Sequence, residues 1–245
     1  MDRRDFLKNF ALLSAGTVAA CGMPLLPACL SHAANGKRSS ARRKWGMVID
    51  LNKCLPDCNA CLEACRKENN VALHGDKRWD IHWIRKSNFK RKFPASSTEI
   101  SVPLLCNHCE HPPCVKVCPV KASYKRDDGI VIVDHHRCIG CRYCLIACPY
   151  NARYFNFKGN SQWPNRDYPK RMHGVSESCT FCAHLVDQGK NPACVDACKR
   201  IKHEALVFGD LNDPDSDISR VIAGNFARGI REDLGTKPKV YYIGL

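Results

Sequence analysis

The chain runs to 245 residues, of which 44% are hydrophobic and 25% charged. That is enough apolar chain for one or two domains with real cores, and it excludes wholesale disorder. The formal charge of +14, from 38 Lys and Arg against 24 Asp and Glu, invites a nucleic-acid reading, yet 18 cysteines set the chain apart from an ordinary basic protein.

Met1-Asp2 is followed by Arg3-Arg4-Asp5-Phe6-Leu7-Lys8 and an apolar run from Phe10 to Ala20. A charged head, a modest apolar segment and small residues beyond it predict an export signal over residues 1–33. The paired arginines point to the twin-arginine route, which carries proteins already folded around their cofactors. Ser31-His32-Ala33 before Ala34 offers one cleavage site, and Val18-Ala19-Ala20-Cys21 offers a lipoprotein box that would leave a lipid anchor on Cys21. A retained membrane helix over Phe10 to Leu30 is the bland alternative, weakened by Gly16, Pro24 and Pro27. The expected location is the periplasm or the outer face of the cytoplasmic membrane.

Residues 34–44 read as a basic linker. From there, β-branched and aromatic runs between turn residues predict strands at Trp45–Asp50, Ile81–Ile84, Ile100–Leu104, Ile130–Asp134, Ala205–Phe208 and Val240–Ile243. Short helices are predicted at Leu62–Glu68, Pro113–Val117 and Leu145–Ala147. A fourth is expected from Asp217 to Ala223, with Pro214 near its start. Residues 158–178, polar and punctuated by Trp163, Pro164, Pro169 and Gly174, read as a long surface loop.

The cysteines impose the organisation. They run Cys54-x3-Cys58-x2-Cys61-x3-Cys65, then Cys106-x2-Cys109-x4-Cys114-x3-Cys118-Pro119, then Cys138-x2-Cys141-x2-Cys144-x3-Cys148-Pro149, then Cys179-x2-Cys182-x11-Cys194-x3-Cys198. The middle two quartets form an internal repeat ending in Cys-Pro. An inner module (106–157) is thus nested between the halves of an outer one (45–105 and 179–208), and an extension (209–245) follows.

Three cysteines on one tight loop can point their sulfurs at a single cubane, while the fourth lies a helical turn further on and faces away. In two-cluster ferredoxins that fourth cysteine ligates the other cluster. On this logic the inner module holds one [4Fe-4S] cluster on Cys106, Cys109, Cys114 and Cys148, and a second on Cys138, Cys141, Cys144 and Cys118. The outer module holds a third on Cys54, Cys58, Cys61 and Cys198, and a fourth on Cys179, Cys182, Cys194 and Cys65. The expected fold is α+β: two nested bacterial-ferredoxin-like dicluster modules with a C-terminal extension.

Two rival chemistries fit less well. Disulfides suit an exported, cysteine-rich chain, but such scaffolds rarely space cysteines by two residues four times over. Zinc fits Cys-x2-Cys pairs and could suit the fourth quartet taken alone, though not the inner pair with its Cys-Pro endings. No quartet lacks a cysteine, so four-iron clusters are expected; the x3 gap Leu55-Pro56-Asp57 makes the first quartet the irregular one. Four thiolates around an oxidised four-iron cluster sum to about −2, so four such sites remove about eight charges. The excess of Lys and Arg then reads as compensation.

Other residues carry weaker signals. His108 and His111 lie inside a cluster loop, where tuning or proton relay competes with plain packing. Tyr143 and Tyr150 flank cluster cysteines and read as packing. Lys170, Arg171, Lys199 and Arg200 fit either an acidic docking partner or solvated charge. No GxGxxG, P-loop, Ser-His-Asp arrangement or acid/base pair is present, so no catalytic site of the chain's own is expected.

From Trp45 to Leu245 the chain resembles the four-cluster iron–sulfur subunits of respiratory oxidoreductases. That superfamily includes the electron-transfer subunits of dimethyl-sulfoxide, polysulfide and tetrathionate reductases and of NrfC-type nitrite systems. Within it the sequence looks most like the DsrO family of the DsrMKJOP complex. The likeness rests on Arg43-Lys44-Trp45-Gly46-Met47-Val48-Ile49-Asp50, Glu68-Asn69-Asn70-Val71 and His136-Arg137-Cys138-Ile139-Gly140-Cys141-Arg142-Tyr143-Cys144. It extends to Gly209-Asp210-Leu211-Asn212-Asp213-Pro214 and Lys237-Pro238-Lys239-Val240-Tyr241-Tyr242. The resemblance implies an electron wire of four [4Fe-4S] clusters, serving sulfite or sulfur metabolism in a hetero-oligomeric membrane complex. Its implied partners are a quinone-interacting membrane subunit of the NrfD/DsrP type, a multihaem cytochrome c and further cluster-bearing subunits. The alternatives are the wire of a molybdopterin reductase, a freestanding polyferredoxin, and a metal-stabilised binding module without redox function.

Overall fold

A computed structural model describes residues 43–90, 99–160 and 162–245. The export signal, the lipid anchor at Cys21, the retained-helix alternative and nearly all of the linker lie outside the described residues. In chain order the elements are β1 (Trp45–Asp50), α1 (Ala60–Glu68), β2 (Ile84–Lys90), β3 (Glu99–Leu105), α2 (Pro113–Lys116), β4 (Ser123–Lys125), β5 (Val131–Val133) and α3 (Tyr143–Ala147). There follow β6 (Tyr154–Phe155), β7 (Ser176–Glu177), α4 (Ala183–Val186), α5 (Ala193–Arg200), β8 (Leu206–Asp210), α6 (Asp217–Gly224), β9 (Ala227–Gly229), a 3-10 turn (Glu232–Leu234) and β10 (Val240–Ile243).

A four-stranded sheet in the order β8-β1-β10-β9 ties the two ends of the described chain together. In it β1 runs antiparallel to β8 and parallel to β10. Because β1 is covered on both faces, its side chains read as a continuous apolar run rather than an alternation. Met47 and Ile49 enter the main core with Trp83, Phe181, Leu206 and Tyr242. Val48 points the other way, against Ile218 of α6 and Ile243 of β10. Gly209 of β8 lets α6 approach closely, for a Cβ there would stand 2.9 Å from Ile218 Cγ2. Helix α6 starts one residue after Ser216, whose hydroxyl accepts from the Ser219 N–H at 3.3 Å, a side-chain cap of the usual kind.

The rest of the fold consists of helix pairs and two-stranded ribbons. Helix α1 packs on α5, and α2 on α3. Ribbons pair β2 with β3, β4 with β5 and β6 with β7. The strand expected at Ile81–Ile84 starts instead at Ile84, its register running from Ile84↔Leu105 to Lys90↔Glu99. Ile81 and Trp83 are buried as an inward-facing strand would require, but the Ile81 N–H bonds to the Ala72 carbonyl at 3.2 Å, so no ladder forms there. Most of the described residues of 158–178 are irregular until β7 begins at Ser176, and Arg171 and Val175 to Ser178 are buried. They are pinned to the end of α1: Asn70 Nδ2 donates to the carbonyls of Asn165 at 2.8 Å and Tyr168 at 3.0 Å.

Candidate metal centres: four rings of thiols

The sixteen cysteines from Cys54 to Cys198 are all free, so none is spent in a disulfide. Helix α1 carries Cys61 and Cys65, and α5 carries Cys194 and Cys198. Residues four apart share a helix face but differ in height by a turn, so each helix presents sulfurs to two successive sites. The inner pair does the same through shorter helices. Cys114 lies in α2 with Cys118 just beyond it, and Cys144 lies in α3 with Cys148 just beyond it.

The resulting neighbourhoods form four rings. In ring A, burial pushes the Cys61 thiol up to about 12, helped by Cys54, Cys58 and Cys198 and opposed by Lys86. In ring B, burial lifts the Cys194 thiol well above its ordinary range, with Cys182, Cys65 and Cys179 adding to the rise. Ring C surrounds a small cavity lined by Cys106, Cys109, Cys114 and Cys148. Ring D surrounds another lined by Cys118, Cys138, Cys141 and Cys144.

Helices shared between rings put them in the order A, B, C, D. Rings A and B meet through α1 and α5, and rings C and D through α2 and α3. Between B and C, Cys179 is raised first by burial and then by the charge of Cys106. His108 stacks on Phe181 at that junction, with ring centroids 3.7 Å apart. Both ends of the row reach the surface. Leu55 beside ring A is 52% exposed, and at ring D Ile139 is 65% and Ile146 84% exposed, with Cys141 itself exposed. The cysteines of ring B and three of those in ring C are buried.

The donor set fits an iron–sulfur cluster. Each ring offers four soft sulfurs, the residue type that such clusters take as thiolate. Buried thiols with raised pKa values stay protonated unless a cation claims them, and a coordinating metal deprotonates them outright. Among the described residues, no three His, Cys, Asp or Glu side chains converge closely enough to hold a single metal ion. The inner quartets ring voids instead.

N–H groups aimed at sulfur supply the outer support that tunes such sites. Backbone amides reach Cys118 from Ser123 at 3.4 Å, Cys138 from Ser176 at 3.5 Å, Cys179 from Phe181 at 3.4 Å and Cys198 from Ala205 at 3.2 Å. Asn69 Nδ2 donates to Cys182 Sγ at 3.4 Å, and Arg153 Nη2 to Cys114 Sγ at 3.2 Å. The loops reach these geometries through left-handed residues, among them Gly140 at φ +71° and Cys182 at φ +50°. A Cβ on Gly140 would sit 2.5 Å from the Gly174 carbonyl oxygen, so the Cys138–Cys141 loop needs glycine there. The irregular first loop is gathered by Lys86, whose ammonium donates to the carbonyls of Leu55 at 2.8 Å, Pro56 at 3.1 Å and Cys58.

The remaining candidates separate. His108 is fully buried, its Nδ1 accepting from the Val131 N–H at 3.0 Å; burial, then the charges of Lys239 and Arg153, holds it neutral. His111 is exposed. Tyr150 bonds Thr236 through its hydroxyl, whereas Tyr143 is largely exposed beside ring D. Lys170, Lys199 and Arg200 are on the surface, but Arg171 is not. It is buried between Trp83 and Tyr168, with Nε donating to the Asn69 carbonyl at 2.7 Å, so it cannot serve as a docking charge. Spacing alone does not single out Arg153, Asn69 or Lys86. The available signals are that Arg153 follows Cys148-Pro149 closely and that Asn69 lies in the Glu68-Asn69-Asn70-Val71 motif.

A family model for the 4Fe-4S dicluster domain matches residues 98–210. The Hdr-like menaquinol oxidoreductase iron-sulfur subunit 1 of Archaeoglobus fulgidus is 41% identical over 268 aligned residues, covering 100% of this chain and 98% of its own. One tetrathionate reductase subunit of Salmonella typhimurium is 35% identical, covering 99% of this chain and 88% of its own. The iron-sulfur cluster-binding subunit of the menaquinone reductase of Nitratidesulfovibrio vulgaris is 38% identical over 82% of this chain and 88% of its own.

Proposed function

Since the chain belongs to the 4Fe-4S dicluster iron–sulfur subunits and [4Fe-4S] clusters are its cofactors, we propose that it is the electron wire of a membrane-associated respiratory complex, with rings A to D as its four cluster sites. The observation that carries this reading is the single row of thiol rings, open to the surface at both ends and buried between. Bound clusters supply one-electron chemistry. The chain's own residues hold them, exclude water from the middle of the row and aim N–H donors at the sulfurs. Cys54, Cys58, Cys61 and Cys198 hold the first site, and Cys65, Cys179, Cys182 and Cys194 the second. Cys106, Cys109, Cys114 and Cys148 hold the third, and Cys118, Cys138, Cys141 and Cys144 the fourth.

The finer reading places one end against a quinone-interacting subunit of the NrfD/DsrP type. The other end meets a second redox subunit such as a multihaem cytochrome c, in a DsrMKJOP-like complex of sulfite or sulfur metabolism. Two relatives named for menaquinol or menaquinone support the quinone-linked side. The likeness to a tetrathionate reductase subunit favours a second reading, in which the outer partner is a molybdopterin reductase. Attachment to the membrane runs through partners, or through a lipid on Cys21 after twin-arginine export. No helix of the described residues is long and apolar enough to cross a bilayer.

Anaerobic purification from detergent-solubilised native membranes, with mass spectrometry of what stays bound, tests this. A polytopic membrane subunit with a multihaem cytochrome supports the DsrMKJOP-like reading. A large molybdopterin subunit supports the second. Quantitative release by mild salt with no partner retained overturns both in favour of a freestanding polyferredoxin, and zinc in place of iron overturns the wire itself.

A further inference from the structure

Arg153 is the buried cation of the inner module. It lies immediately before β6 and is 5% exposed. Its Nη2 donates to Cys114 Sγ at 3.2 Å and to Ser123 Oγ at 3.0 Å. Its Nε and Nη1 are shut away from solvent and have no hydrogen-bond partner among the described residues. A guanidinium always carries its charge and offers five donors, so two idle nitrogens in a dry site are costly unless something fills the space before them. What borders Arg153 is the cavity of ring C, which it helps to line.

It reaches both inner rings: Cys114 belongs to ring C, while Ser123 lines the cavity of ring D and gives its N–H to Cys118 Sγ at 3.4 Å. The buried guanidinium beside ring B is balanced differently. Arg171 has the Glu177 carboxyl in its neighbourhood, and that carboxyl accepts from Trp83 Nε1 at 3.1 Å.

We propose that Arg153 is a shared tuning residue of the inner pair, raising the reduction potentials of the sites in rings C and D together while its idle N–H groups donate to sulfur of the cluster that ring C holds. The inference rests on the reading of the rings as cluster sites. Reduction at either site adds one electron, breaks no bond and needs no proton, and takes the thiolate-held unit from about −2 to about −3. A fixed positive charge beside it favours the more negative state, and burial keeps salt from screening the effect. Arg153 touches no sulfur of rings A or B, so those two sites lie outside its main influence.

The test is an EPR-monitored redox titration of the anaerobically purified full chain, in its complex, with dithionite as reductant and iron and sulfide measured per chain. In Arg153→Met, two of four midpoint potentials should fall by at least a tenfold change in the reduction equilibrium, about 59 mV for one electron. The other two should stay in place. Arg153→Lys, which keeps the charge and loses the fork, should recover at least half of the fall. If the Met variant loses iron, Arg153→Gln, which keeps N–H donors without the charge, decides in the same way. Full iron with unmoved potentials, or an equal fall at all four sites, would overturn the tuning role alone. Zinc in the wild-type chain would overturn the cluster reading and this inference with it.

Discussion

Gly140 shows how much a single backbone angle carries in this protein. Its φ of +71° and the Gly174 carbonyl facing it leave no room for a side chain in the Cys138–Cys141 loop. Gly140→Ala is expected to cost about 1–2 kcal/mol from the left-handed backbone alone, with the steric overlap added. The predicted result is selective loss of one cluster's iron or its faster bleaching in air, with the other sites retained. Iron per chain and the EPR signal count would show it; full iron and unchanged stability would contradict it. The sixteen cysteines themselves are legible in the sequence because their spacing is local. Arg171 groups there with the surface cations because its cover comes from Trp83 and Tyr168, and Trp83 is far away in the chain. Lys86 is invisible for the same reason, and Asn69, though part of the Glu68-Asn69-Asn70-Val71 motif, shows no role there because the Cys182 loop it reaches arrives from elsewhere.

Helices α1 and α5 each serve two rings, which couples the sites mechanically. A proline at Ala64, in the interior of α1, removes a helical hydrogen bond and clashes with the preceding turn, at about 3 kcal/mol or more. Ala64→Pro should therefore empty rings A and B together while C and D keep their iron. Loss of a single cluster would contradict the shared-helix account. Among the elements, β1, β3, β8, β10, α1 and α6 stand close to where periodicity and turn residues put them. Helices α4 and α5 escape such a reading because the x11 gap between Cys182 and Cys194 breaks the repeat that marks the other quartets. Strands β6 and β7, at two residues each, are too short to show any period.

Across the described residues, the rings of sulfur are built into the core. Ten of its buried residues are cysteines of the four rings: Cys61, Cys65, Cys106, Cys179, Cys194 and Cys198 in the main apolar cluster and Cys114 and Cys144 in a smaller one, with Cys109 and Cys182 likewise buried. Metal binding and folding are then one equilibrium. Stripping iron under denaturant-free conditions, with an oxidant and a chelator, should collapse the helical circular-dichroism signal and expose apolar surface to a dye. The sheet β8-β1-β10-β9, whose back face packs on α6, should persist longest. Retention of the full helical signal without iron would show that the helices stand on their own.

The nesting of the two modules has a consequence for biosynthesis. Rings C and D draw all their sulfurs from the span Cys106 to Cys148 and can be completed once that stretch has left the ribosome. Ring A needs Cys54 and Cys198, and ring B needs Cys65 and Cys194, so both wait until the chain has been made through α5. Closing the longer loop costs only about 1 kcal/mol more than closing the inner one. With the sites filled as proposed, the order of filling is a matter of timing rather than affinity: the inner pair is expected to load first, and Cys54 and Cys65, though made early, are expected to be claimed late.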